Sequence, residues 1–348
     1  MQKKIIALAI AAVFAAPVAM ADTANVNVYG TLDAGVRSNT TKVPNIKDTS
    51  ATTFSSGAFT ANRWGFKGSE DLGDGMKAFW HLESSLNLGA GGSGQGATAQ
   101  GSNVGGSALF DRGATLGVSS GANAIELGRQ RIVAHKVAVA IEPMGMKFRN
   151  QSNSNTLLYS YTGNASRQDN LVSYTGTFGP VKVLADRNIP ANGTNDLATT
   201  SVGVVFESGP LNVTGVYANA NIPTGTLDDT TYYLVGAAYK IGDGKVSGGL
   251  TKNTVDSATI DGVTENQFIG GSYNVSPKIG VLGGYYINTV NTAGSAAETE
   301  TTRLVLGATY ALSKRTTAYG QVDTRTTEVA NVETNKQNGF SVGLATTF

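Results

Sequence analysis

The chain contains no cysteine and only two histidines, His81 and His135. A disulfide-stapled fold is thereby excluded, and a structural zinc or haem centre has almost nothing to be built from. At 348 residues the chain can bury ample surface without such staples. Proline is scarce at eight residues, and charged side chains make up only 15%. Lysine plus arginine (26) nearly balance aspartate plus glutamate (25), so no clustered basic face offers itself to a nucleic acid. After the first twenty residues no apolar run approaches the roughly 20 residues that a membrane helix needs. That excludes a helical membrane bundle. It leaves open a membrane barrel, whose strands are each only half apolar.

Glycine is plentiful, with 44 residues, alongside 13 tyrosines and 12 phenylalanines. Glycine is a poor helix former, and Thr, Val, Tyr and Phe suit a pleated sheet, so the composition points to an all-β fold.

The N-terminus reads as a segment to be removed. Lys3 and Lys4 precede an apolar run over 5–16, followed by Pro17-Val18-Ala19-Met20-Ala21. A basic start, a short apolar stretch and a small-x-small exit make a secretory signal peptide. Cleavage after Ala21 would leave 348 − 21 = 327 residues, and the loss of two lysines takes the formal charge from +1 to −1. The expected organisation is a leader over 1–21 and one barrel over 22–348.

Beyond the leader, segments of about 8–12 residues alternate in polarity between turn residues. In the last one, Phe340, Val342, Leu344, Thr346 and Phe348 fall on one face, and Ser341, Gly343, Ala345 and Thr347 on the other. Side chains alternate across a strand, so one face meets an apolar medium and the other is small and polar. The breaks fall into two kinds. Short ones contain Asp74-Gly75, Gly121-Ala122, Gly179-Pro180, Gly209-Pro210, Asp243-Gly244, Pro277-Lys278 and Lys314-Arg315; long polar ones cover 39–58, 89–106, 188–199, 220–230, 254–266, 289–298 and 328–335. Short turns on one side and long loops on the other are the mark of a transmembrane β-barrel. Counting between the breaks gives about sixteen antiparallel strands, enough to leave an aqueous channel.

One connection stands apart, over about 132–167. It carries Val137-Ala138-Val139-Ala140-Ile141, then Glu142-Pro143-Met144-Gly145-Met146, too apolar for a loop bathed in water. Long connections in compact folds are usually functional. Folding inward against the wall would give this surface a partner; packing on a neighbouring subunit is the alternative.

Several blocks resemble the general trimeric porins of Gram-negative bacteria, in particular those of the β-proteobacteria. They are Val28-Tyr29-Gly30-Thr31-Leu32-Asp33-Ala34-Gly35, the specific block Asn62-Arg63-Trp64-Gly65-Phe66-Lys67-Gly68-Ser69-Glu70-Asp71-Leu72-Gly73, Leu127-Gly128-Arg129-Gln130, Arg167-Gln168-Asp169-Asn170-Leu171-Val172-Ser173-Tyr174, and Tyr310-Ala311-Leu312-Ser313-Lys314-Arg315-Thr316 with the terminal Phe348. The resemblance implies an outer-membrane diffusion channel in contact with lipid, a homotrimer, and a third loop that narrows the pore. It also implies that Arg63, Arg129 and Arg167 form a cationic cluster on the wall. Strand alternation adds Lys67 beside Arg63, with Trp64 and Phe66 facing out, and places Lys77 and His81 in one lumen row. Glu142 is the main acid expected on the inward loop, beside Lys136, Lys147 and Arg149. Thr31 stands where some relatives carry a lysine. Few acids thus oppose the cations, and a pore preferring small anions among hydrophilic solutes is expected.

No cofactor is expected. An enzyme would need a nucleophile and base in reach of each other, and neither histidine sits in such a pattern. The glycine-rich 89–96 lacks the Gly-Lys-Ser/Thr ending of a phosphate loop. The remaining alternatives are a barrel that displays its loops as an adhesin, and a substrate-specific channel, which would carry a run of aromatics along the lumen; no single strand face displays one.

Overall fold

The structure, a computed structural model, describes residues 25–92, 108–148, 166–189, 198–221, 229–256, 261–292 and 297–348. The expected leader and Arg149 lie outside these residues. Among them run β1 (Asn25–Val43), β2 (Ile46–Ser56), β3 (Arg63–Gly73), β4 (Met76–Ser85), β5 (Gly113–Ser120), β6 (Asn123–Arg131), β7 (Arg167–Phe178), β8 (Val181–Asn188) and β9 (Ala198–Ser208). The second half holds β10 (Leu211–Asn221), β11 (Asp229–Ile241), β12 (Gly244–Asp256), β13 (Gly262–Asn274), β14 (Ile279–Thr292), β15 (Thr299–Ala311), β16 (Thr316–Val329) and β17 (Val332–Thr347). One helix, α1 (Val133–Ile141), is described.

Every pairing is antiparallel, and β1 closes on β17 through the register Thr31↔Thr347 to Lys42↔Lys336. On its other edge β1 pairs with β3 over Asn25–Thr31 and with β2 over Ala34–Val43. β2 thus continues the lane of β3, and 17 − 1 = 16 lanes close the barrel. The expected all-β, sixteen-stranded barrel is what forms.

Alternation sets the two faces. In β17 Val342 and Leu344 are 44% and 47% exposed, whereas Ser341 is fully buried. The same outward band includes Val202 and Val204 of β9, Tyr233 and Val235 of β11, and Leu304 and Leu306 of β15. A continuous apolar exterior of this kind needs lipid, since water-soluble monomers rarely expose such patches.

Two stretches expected as loops are strand. Residues 39–58 form the upper part of β1 and all of β2, turned at Asn45 with φ 62°. Their Thr residues favour extended backbone, but both faces are largely polar, so alternation gives no signal there. Residues 328–335 are a tight hairpin, in which Ala330 and Asn331 both take positive φ. Two successive residues with φ above zero make a type I′ turn, whose twist matches the flanking strands.

Helix α1 packs on the inner face, against β8 to β12. Its first turn is tied to the wall by an acid. The Val133 N–H donates to Asp186 Oδ2 at 2.7 Å, supplying from β8 the acceptor that the helix start lacks locally. At the other end the Glu142 N–H closes on the Ala138 carbonyl. Val133, Val137, Ala138, Ile141 and Met144 are at most 2% exposed, and full burial contributes about 1.5–3 kcal/mol for each of the larger ones. The wall makes room with glycines. A Cβ on Gly203, Gly236, Gly270 or Gly307 would come within 2.9 Å of Val133, Ile141, Pro143 or Phe148 respectively. Phe148 ends this track in an aromatic cluster with Phe59 and Tyr319, at ring distances of 5.1 and 5.9 Å.

Candidate functional site

The inner face of β1 and β3 to β7 gathers a compact charged network around Glu83. Position 83 lies two residues beyond His81 in β4, and strand alternation turns both inward. Arg112 Nε donates to Glu83 Oε1 at 2.7 Å, and the Tyr29 hydroxyl donates to Oε2 at 2.9 Å. Arg63 Nε lies 3.5 Å from Oε2, and Arg167 Nη2 lies 4.0 Å from Oε1. One carboxylate therefore faces three guanidinium groups. Charge-assisted pairs of this kind are strong when desolvated, and Arg112, Arg167 and Glu83 all have side chains less than 10% exposed.

A recess of about 410 Å³ opens beside this network, lined by Arg63, Lys67, Arg112, Arg131 and Lys136 among the cations and by Glu83 and Glu126 among the acids. Counting formal charges, 5 − 2 gives +3 with His81 neutral. Lys136 is the contribution of helix α1; its ammonium donates to Gln130 Oε1 at 2.7 Å and lies 3.4 Å from Glu126.

The expected residues separate into four groups. Arg63, Lys67 and His81 line the recess together. Lys67 sits 5.3 Å over the Tyr29 ring, and no ion pair binds it among the described residues. Arg129 and Arg167 are on the same stretch of wall but held behind it. Arg129 donates to Asp169 at 2.6 Å and to the Asp111 carbonyl at 2.7 Å, and Arg167 donates to the Arg112 carbonyl at 2.6 Å. Lys77 shares the row of His81 but stands opposite Asp71 in the strand register, next to the Asp74-Gly75 turn. Four residues of strand put it about 13 Å away from His81.

Glu142 requires a correction. Expected as the acid presented to the opening, it is fully buried between loop and wall. Its Oε1 accepts from the Tyr286 hydroxyl at 2.5 Å and its Oε2 from the Met146 N–H at 2.6 Å. Lys245 donates to its carbonyl at 2.9 Å. Burial pushes the Glu142 carboxyl above its ordinary range, partly offset by these hydrogen bonds and by Lys245. The side chain latches the loop to the wall. Lys147, the next cation on the loop, lies 4.8 Å from the Phe59 ring centre, and burial, with Arg63 nearby, pulls its ammonium below the usual lysine range.

Sequence reasoning missed Glu83 as the hub and Arg112 and Arg131 as lining cations. Glu83 was within reach, being the next inward position after His81. Arg112 precedes its strand in an irregular segment and gave no periodic signal. A separate buried group joins β1, β15 and β16, where Arg37 grips Asp323 at 2.8 and 3.2 Å and Arg303 lies 3.7 Å away. Among the described residues no cluster of three His, Cys, Asp or Glu side chains is placed to hold a metal ion.

Residues 7–347 match the profile of a family described as Gram-negative porin. The chain is 32% identical over 238 residues to an outer membrane porin protein of Bordetella pertussis, covering 61% of this chain and 58% of that one. It is 44% identical over 97 residues to the major outer membrane protein P.IB of Neisseria lactamica, covering 28% and 27%. The chain thus spans less than two thirds of the length of these relatives. Among solved structures it is similar to an anion-selective porin from Comamonas acidovorans, with a TM-score of 0.76 at 21% identity over 94% of this chain and all of that one. The trimer form of OmpT from Vibrio cholerae matches with a TM-score of 0.67 at 17% identity, over 94% and 100%. At these identities the two structures speak for the fold.

Proposed function

The chain belongs to the Gram-negative porin family, and from that premise we propose that it forms a water-filled channel across the outer membrane, through which small hydrophilic solutes and ions diffuse passively with a preference for anions. The observation that carries the preference is the recess charge of +3, on a wall where three arginines share one carboxylate. A pore lined by one sign of charge, with low-dielectric walls, concentrates the opposite sign and admits it preferentially. Helix α1 and residues 142–148 pack against the lumen side of the wall, so this reading makes them part of the constriction. Glu142 adds no opposing charge to the opening, because it is spent on Tyr286 and Met146. The Comamonas protein of similar fold is described as anion-selective, which agrees with this reading.

The assembly proposed is a homotrimer, in line with the trimeric Vibrio protein of the same fold. Export is proposed to remove residues 1–21, leaving a chain that begins at Asp22; N-terminal sequencing of the membrane-extracted protein tests this.

The deciding experiment is recording from purified protein in a planar bilayer. Conductance in triplets and a reversal potential of anion sign in a KCl gradient are expected. Cation sign would overturn the preference, and silence under all voltages would favour the adhesin alternative. Arg63→Ser should weaken the anion preference more than Arg129→Ser, because Arg129 is already neutralised by Asp169 at 2.6 Å.

A further inference from the structure

Aromatic side chains on a membrane barrel normally face lipid, and Trp64, Phe66 and Trp80 of this wall alternate onto that outer face. Three other rings do the opposite. Tyr29 of β1 and His81 of β4 stack with ring centres 6.0 Å apart and planes 20° from parallel. Phe79 precedes His81 by two residues and so points the same way, about 7 Å along the strand. Its ring covers the place where a side chain on Gly117 would stand, which lays it against the wall. Phe79 and His81, with Lys67, line a second recess of about 340 Å³. That recess adjoins the charged one, since Lys67 and His81 belong to both. Each volume lies in the range of small-ligand pockets.

We propose that this stretch of wall is a binding station for planar aromatic carboxylates. The carboxylate sits at the Lys67 ammonium with Arg63 two inward positions, about 13 Å of strand, beyond it, and the ring lies against Phe79 and the Tyr29–His81 stack. The chemistry fits each part. Lys67 has no carboxylate partner among the described residues and stands 5.3 Å over Tyr29, poised between a ring and the water of the pore. Offset ring faces at 4.5–7 Å favour another aromatic over an aliphatic group of equal size. The Tyr29 hydroxyl is committed to Glu83 at 2.9 Å and to His81 Nε2 at 2.5 Å, which fixes both rings in place before any solute arrives. A run of aromatics in the lumen is the mark of a selective channel; here the rings lie across β1 and β4 rather than along one strand. The inference rests on the reading of the charged recess as an anion path, and it adds a solute class to that path.

The test compares benzoate, cyclohexanecarboxylate and acetate as additives in single-channel recordings of the purified protein in KCl. Benzoate is expected to produce resolvable interruptions of the current, whereas the other two do not. Phe79→Ala, and Phe79→Leu as the variant that keeps bulk without a ring, should each shorten benzoate residence roughly 2- to 10-fold. Lys67→Gln should abolish the response to benzoate while leaving that to neutral benzamide unchanged. If benzoate behaves as acetate does, or if neither Phe79 variant shortens its stay, the station does not exist. The KCl reversal potential of the same preparation keeps the two readings apart. Anion sign with no benzoate effect removes the station alone, and cation sign removes the anion path beneath it.

Discussion

Gly203→Ala probes the seat of the inward helix directly. The added Cβ would lie 2.7 Å from Val133 Cγ1 and 2.9 Å from Val137 Cγ2, with Val216 Cγ2 next at 3.4 Å. Ordinary carbon contacts begin near ~3.5 Å, so α1 must retreat from the wall by about 0.8 Å or the wall must yield. Only side chains stand in the way, and the two nearest belong to the helix, so the helix is the part that moves. Overpacking of this order costs about 1–3 kcal/mol. A helix displaced into the lumen should lower single-channel conductance, and the folded barrel should unfold at lower temperature in detergent. Val133→Ala combined with Val137→Ala removes the obstructing methyls and should restore conductance to the level of that pair on its own. Gly320→Ala serves as the control, because the nearest atom to its Cβ is 3.9 Å away. If Gly203→Ala conducts like Gly320→Ala, the glycine track does not position the loop and the account of the constriction fails.

Other expectations follow from the buried charges. Glu83→Gln strips the shared carboxylate from Arg112 and Arg167, whose side chains are 2% and 3% exposed; it should cost about 3–5 kcal/mol of stability while moving the reversal potential further toward anions. Asp323→Asn leaves Arg37 and Arg303 without their carboxylate and should cost a similar ~3–5 kcal/mol, with selectivity little changed. Burial raises the Glu142 carboxyl above its unfolded value, so its contribution is complete below that value and is lost as pH climbs through the folded one. Acidification from neutral pH should therefore tighten the loop. Amide exchange over 133–146, corrected for intrinsic rates, would slow; faster exchange at pH 5 would contradict the latch.

The barrel was legible because lipid and water impose opposite demands on alternate residues, and Phe340 to Phe348 display both at once. Short turns such as Asp74-Gly75 marked one rim. Legibility failed where both faces meet water, as over 39–58, since strand and loop then share a polar composition. The short apolar stretch 137–141 announced that it must be covered but not that it would close a helix begun at Val133. Its acceptor for the first N–H is Asp186, more than fifty residues along the chain. The charged site was half visible. Lys67 and His81 followed from alternation and Arg63 from the family resemblance, but whether an inward charge meets water or another buried group depends on cross-strand partners. That is why Glu142 became a latch and Arg129 and Arg167 turned out to be held back.

The pairing of β1 with β17 has a kinetic meaning. Arg37 reaches Ser341 across a separation of 304 residues, whereas most other strands meet a neighbour adjacent in the chain. Hairpins can assemble locally, but this last seam demands nearly the whole polypeptide and a large loss of chain freedom. Until it is sealed, two unsatisfied edges invite pairing with another unfinished copy. Assembly is thus a race between self-closure and aggregation, in which any factor shielding those edges in transit would raise the yield of finished barrels.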